Sequence, residues 1–279
     1  MNNRLVNSCI MVIDDDDIKA LIVNLKDRSI ISTDVIHPSS MSREAITESI
    51  FEFITQKGVD DGINIHIAVN YPSRNGVVYG NSDIESLQKW FYMKYGRTIH
   101  VQSIADLLAY RTWNMNGYAM KTMTAKRKWL SNSRIALCYI TKSKVSLSMI
   151  DSGKIIDGLD LNQDLYCVSH AGIDNSNDVL LYKAILDELA ENVDNLLHPS
   201  SIYYYFNTPL PYGLSSSSYK LIDKHDNTID DIAESIIMIE GGFNAEPDYI
   251  IQEKSNYDDI YIPIEDENGK VRNVPLFQH

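Results

Sequence analysis

Three apolar, β-rich runs follow one another within the first 36 residues, and the corner between the first two is built from four consecutive aspartates. Cys9-Ile10-Met11-Val12-Ile13 leads into Asp14-Asp15-Asp16-Asp17. A second run, Lys19 to Leu25, follows at once, and after a turn around residues 26–29 a third extends from Ile30 to Ile36. Apolar strands interrupted by a short polar corner form a strand-turn-strand unit. A corner of four carboxylates repels phosphate. Oxygen-rich acids can hold a divalent cation, but consecutive acids point in different directions, so no metal site is expected there.

Strand and helix patterns then alternate, which is the signature of a layered α/β fold. Residues 42–57 put Ile46, Ile50, Phe53 and Ile54 on one helical face, with Gly58 as a left-handed stop. A strand over Ile63 to Val69 ends at Asn70-Tyr71-Pro72, and a helix over residues 83–95 ends at Gly96. This completes a first lobe, residues 1–100. The second lobe, 101–279, opens around the strand Ile99-His100-Val101, continues into a helix over 104–113, and carries strands at 136–141 and 145–150. Asp151-Ser152-Gly153-Lys154 then turns tightly into Ile155. A helix over 177–197 shows a stripe of Leu181, Ile185, Leu189, Val193 and Leu196. The β-rich run Ile202 to Phe206 follows it, then a polar loop at 215–218, a helix over 230–239 and a terminal hairpin tail turning at Asn268-Gly269. The aromatic run Tyr203-Tyr204-Tyr205-Phe206 and the tail from Ile260 to Phe277 are read as a buried strand and a closing hairpin. The competing reading makes them surfaces for a partner or a second copy.

A net charge of −13 over 279 residues opposes broad contact with nucleic acid or anionic membrane, so neither partner is expected. Lys121, Lys126, Arg127 and Lys128 are the local exception and read as a solvated loop. Cys9, Cys138 and Cys167 lack CxxC spacing, which argues for reduced buried thiols rather than a disulfide framework or zinc cluster. With no signal-like or membrane-spanning run, a soluble cytoplasmic protein is expected.

Between residues 9 and 206 the order of elements resembles the bacterial ROK family of sugar kinases and sugar-responsive repressors. The clearest stretch is Ile65-His66-Ile67-Ala68-Val69-Asn70-Tyr71-Pro72, with the small hairpin at Gly76-Val77-Val78 and the helix from Leu87 to Gly96. The resemblance implies a two-lobed, actin-like ATPase or ribonuclease H-like α/β fold with a central cleft. It also implies a homodimer.

The same resemblance marks where this chain departs. The family's phosphate corner reads Asp, apolar, Gly, Gly, Thr, Lys; here Asp14 and Lys19 remain, while Asp16 and Asp17 stand where glycine lets the chain approach phosphate. Lys142-Ser143-Lys144 replaces the second, glycine-rich phosphate loop, although Gly153-Lys154 looks like the hairpin after it. Aligned on Val101 and Ala105, Ile104 occupies the place of the catalytic carboxylate, and isoleucine takes no proton. Asp106 is the nearest acid and, with Asp14, the weak alternative base. Asn81 and His170 resemble sugar-contacting residues, but Cys167 stands where the sugar-binding glutamate belongs. The zinc loop is absent from residues 171–178, and Tyr205-Phe206-Asn207-Thr208-Pro209 replaces the glycine-rich adenosine loop.

What the residues then imply is a pseudokinase-like protein: no cofactor, no catalytic group, and a small sugar or a protein as partner. The alternative is a divergent hexose or N-acetylhexosamine kinase using ATP and Mg, with Asp14 or Asp106 as base. A repressor role is not expected, because the chain enters its first strand without a helix-turn-helix.

Overall fold

The computed structural model describes residues 7–14, 17–25, 29–59, 62–74, 77–141, 145–155, 183, 186–191, 193–194, 198–207, 219–223, 228–240, 261–265 and 271–275. The three opening runs form an antiparallel meander, β1 (Asn7–Asp14), β2 (Asp17–Asn24) and β3 (Ser29–Ile36), in which Asp14 and Asp17 are cross-strand partners. Helix α1 (Arg43–Gln56) begins at the N-cap Ser42, whose hydroxyl accepts from the Ala45 amide, and the chain leaves it through Gly58 at φ 62. Strand β4 (Asn64–Val69) returns parallel to β1. After the two-residue strands β5 (Ser73–Arg74) and β6 (Val77–Val78), α2 (Ser82–Tyr95) runs to Gly96 at φ 69.

Strand β7 (His100–Ser103) pairs parallel with β4, so it closes the first sheet instead of opening the second half of the chain. The order β3-β2-β1-β4-β7 is complete at that point. Helix α3 (Ile104–Tyr118) extends five residues past the expected end at Trp113. The basic segment is not a loop: α4 (Met123–Asn132) is a helix capped by Thr122, with no buried residue. Its outward face lacks the apolar stripe by which helices are found in sequence.

The second sheet repeats the first. Strands β8 (Arg134–Ile140), β9 (Val145–Asp151) and β10 (Lys154–Ile155) form an antiparallel meander; β11 (Ser201–Phe206) and β12 (Lys220–Asp223) follow parallel to β8, giving β10-β9-β8-β11-β12. Strand β12, just beyond the polar loop, had no signal in the sequence. Two five-stranded sheets of identical order and direction define the duplicated, ribonuclease H-like α/β fold of actin-like ATPases. Helical residues 186–191 (α5), a long α6 (Thr228–Glu240) and the hairpin β13 (Tyr261–Glu265) with β14 (Val271–Pro275) complete the described chain. Of the stripe expected on the helix before β11, Leu189 and Val193 are buried, with Leu186 beside them; Leu181, Ile185 and Leu196 lie outside the described residues.

Helices α3 and α6 lie between the sheets. Their Leu107, Leu108, Ile232 and Ile236 join Ile10, Val12 and Leu21 of the first sheet and Leu137, Tyr139 and Tyr205 of the second in one buried cluster. A second cluster packs α1 and α2 on the outer face of the first sheet, and a third packs α5 on the outer face of the second. The aromatic run of β11 is core: Tyr203, Tyr204, Tyr205 and Phe206 are all buried. Cys9 and Cys138 are buried free thiols, and burial pushes each up to about 12, so they are inert. Among the described residues no helix is long and apolar enough to cross a membrane.

Candidate functional site

In an open α/β sheet the functional crevice lies outside the carboxyl ends of the parallel strands. Here those ends are Asp14 of β1, Val69 of β4 and Ser103 of β7 in one sheet, with Ile140 of β8 facing them from the other. The loop leaving β4 is fastened at three places. Asn70 accepts a hydrogen bond of 2.8 Å from the Ser146 hydroxyl on β9, which ties one sheet to the other, and both residues are buried. Asn81 donates to the Tyr71 hydroxyl at 3.1 Å. Ser73 donates to the carboxylate of Asp106.

The sequence-derived candidates fall into three groups. At the corner, Asp17 sits 2.6 Å from His37, a contact between exposed side chains that sequence reading did not find; Lys19 is exposed, cross-strand from Val12 and Val35. Asp16, and the side chain of Asp14, lie outside the described residues. At the crevice, Ile104 is the first residue of α3 and fully buried, whereas Asp106, two residues on, is buried against Ser73. A carboxylate in the first turn also complements the helix dipole.

Asn81, the third group, is the N-cap of α2. Its oxygen accepts from the amides of Asp83 and Ile84 at 3.0 and 3.3 Å while its amide engages Tyr71, so both ends of the side chain are occupied by the fold. His170, Cys167, Lys142 and Lys144 lie outside the described residues. Gly153 is present at the β9–β10 turn, where Ser152 and Gly153 take φ 52 and 82, the mirror-image geometry that suits a two-residue hairpin. A Cβ on Gly153 would stand 2.8 Å from the Trp113 ring, so the glycine lets α3 pack against the turn. The backbone N–H of Asn207 donates to the Ile140 carbonyl, and its side-chain oxygen accepts from the Thr228 hydroxyl at 2.5 Å.

Two further polar groups, both missed in the sequence, fasten α6, one to α3 and β11 and the other to β4 of the first sheet. Arg111 of α3 lies 2.9 Å from Asp231 and 2.7 Å from Glu234 on α6, and Tyr205 of β11 donates to Asp231 at 2.7 Å. Burial, with the neighbouring Asp231 carboxylate, pushes the Tyr205 phenol far above its ordinary range. At the other end of α6, Glu240 accepts from Asn64 and lies 2.8 Å from His66 Nε2, while His66 Nδ1 faces Gln102 at 3.0 Å. Burial alone would raise the Glu240 carboxyl; His66, with Asn64 and Ser8, outweighs it and holds the group below the usual glutamate value. Among the described residues no cluster of His, Cys, Asp and Glu could hold a metal ion.

No protein-family model matches the chain, and no curated protein sequence matches it. Solved structures to which it is similar include the Lmo2764 protein from Listeria monocytogenes, at 12% identity and TM-score 0.49 over 85% of this chain and 100% of that one. Another is a ROK family transcriptional regulator homologous to the E. coli MLC protein, at 11% and 0.48 over 86% and 74%. A glucokinase from an Antarctic psychrotroph follows at 10% and 0.47 over 85% and 100%. At these identities and scores the likenesses carry no argument about activity, and the fold assignment rests on the repeated strand order of the chain itself.

Proposed function

We propose that this chain is a non-catalytic relative of the ROK sugar kinases: a two-lobed protein, divided near residue 100, that senses a small sugar or engages a protein partner without transferring phosphate. The observation that carries this reading is Ile104, fully buried at the first position of α3. Phosphoryl transfer to a sugar needs a carboxylate within reach of the attacking hydroxyl, and the side chain at that position can only pack. The commitments of nearby polar groups support the same reading, since Asn70 is bonded to Ser146, and Asn81 is spent on capping α2. On this proposal the protein works in the cytoplasm, needs neither ATP nor Mg, and acts as a homodimer.

A thermal-shift screen of the full chain with nucleotides, hexoses and N-acetylhexosamines tests the idea, because stabilisation follows occupancy. A rise in melting temperature with sugar and none with ATP-Mg is expected for a sensor; no response to either is expected for a protein-binding module. Stabilisation by ATP-Mg together with phosphorylation of a sugar would sink the proposal.

One observation favours the alternative, a divergent sugar kinase: Asp106 is a buried carboxylate in the first turn of α3, facing the loop that leaves β4. In that case Asp106→Asn abolishes turnover with the fold intact. Absence of turnover in the parent protein removes the alternative outright.

A further inference from the structure

We propose that the basic outer face of α4 is a docking surface for an acidic peptide segment of a partner protein. Eight of the 25 lysines and arginines fall between Asp106 and Asp151, a stretch without aspartate or glutamate, although the whole chain carries −13. Segregation of sign on that scale points to an oppositely charged partner. Its centre is Lys121, Lys126, Arg127 and Lys128, the last three on α4 itself.

The helix is a preformed platform. Trp129 donates its indole N–H to the Trp113 carbonyl at 3.0 Å and closes on Gly117, where a Cβ would stand 3.3 Å from the ring. With Leu130 it packs on the cluster between the sheets. The opposite face, Thr124, Arg127, Lys128 and Ser131, is exposed at helical spacing. Lys126 lies 5.8 Å from the Tyr118 ring, and Lys121 is exposed just ahead of the N-cap. At the far end the Ser152 hydroxyl donates to the Ser131 carbonyl at 2.9 Å, which brings up the β9–β10 turn with the exposed Lys154 and Ile155 after it. A face set before binding loses little ordering entropy when a partner arrives.

Size and chemistry choose the occupant. Helix α4 is about 15 Å long. It leads at Asn132 almost directly into the start of β8, so its face lies at the end of the second sheet opposite the crevice. A membrane or a nucleic-acid duplex extends far beyond it and meets the acidic remainder of the protein, which repels it. A short peptide touches the basic face alone. Met123, 47% exposed and one turn before Arg127, and Ile155, 37% exposed, add apolar contacts beside the cations. The segment that fits therefore carries acids around one or two apolar side chains. Docking here gives the protein partner of the proposed function a chemical class, yet it is independent of what the crevice binds, because the two sites lie at opposite ends of β8.

Fluorescence anisotropy of a labelled peptide of about ten residues, glutamates around two leucines, titrated with the full chain to about 300 μM tests this. Saturable binding is expected at about 30 mM salt, weakened about tenfold or more at about 300 mM, where the charges are screened. Lys121→Glu with Lys128→Glu weakens it about tenfold or more and leaves the thermal melt unchanged, because both side chains are exposed. Lys89→Glu with Lys183→Glu, at exposed positions outside α4, changes the net charge equally and leaves binding as in the wild type. A peptide that does not bind overturns the inference, and so does an equal effect of the two double variants. Stronger binding of a single-stranded oligonucleotide or of phosphatidylserine vesicles than of the peptide also overturns it and makes that polyanion the occupant. The nucleotide and sugar screen reads the crevice and this titration reads α4, so either can fail alone.

Discussion

Asn70, just past the end of β4, and Ser146, on β9, share a buried hydrogen bond of 2.8 Å across 76 residues of sequence, and it fastens the two sheets together at their carboxyl edges. A crevice with such a bond in its wall holds its sheets at a fixed separation. Replacing Asn70 by Ala leaves the 2%-exposed Ser146 hydroxyl without this acceptor, which costs about 1–3 kcal/mol. Urea denaturation of Asn70→Ala, Ser146→Ala and the double variant checks it: the double is expected to be less destabilised than the sum of the singles.

Arg111 is the most exacting position between the helices. Arg111→Ala strands the Asp231 carboxylate, whose side chain is 6% exposed, and is expected to cost about 3–5 kcal/mol. Glu234→Ala, which removes the half-exposed arm of the same pair, costs ~1 kcal/mol or less. Chemical denaturation of the two variants separates these outcomes.

Acid stability depends on Glu240. Its carboxyl titrates lower in the folded protein than its ordinary 4.5, so the unfolded chain binds the proton first. The contribution is fully present above pH 4.5 and is lost as pH falls through the folded value. The stability difference between wild type and Glu240→Gln is therefore expected to stay constant above that pH and to shrink below it, read by denaturant midpoints across a pH series.

Two of the left-handed glycines, Gly96 and Gly153, should respond differently to alanine. At Gly96 nothing lies within 4 Å of the new Cβ, so the cost is the backbone term alone, about 1–2 kcal/mol. At Gly153 the same term is joined by overlap with the Trp113 ring at 2.8 Å, and the loss of stability in thermal melts is larger.

How far the sequence reveals such features depends on how local their causes are. Helix α1 announces itself through Ser42, Gly58 and the spacing of Ile46, Ile50, Phe53 and Ile54, because capping and burial act within a few turns. The β9–β10 turn is equally local. Helix α4 is hidden because it buries no residue, and its charges read as a loop. Strand β7 is visible as a strand, but its sheet is not, since pairing with β4 is decided across more than thirty residues. Of the crevice, Ile104, Asp106 and Asn81 were found by position in a resemblance, whereas Ser73, Ser146 and Asn70 form bonds between distant segments that leave no periodic trace. Asn64 and Glu240, 176 residues apart, are the extreme case.

The continuous cluster around α3 and α6 makes the halves inseparable during biosynthesis. A nascent chain that has emerged only as far as Ser103 holds a finished sheet order, yet Ile10, Val12, Leu21 and Val23 still await α3 and a helix that begins at Thr228. Until most of the polypeptide has left the ribosome, that face stays bare, and the first half is a client for chaperones rather than an autonomous folding unit.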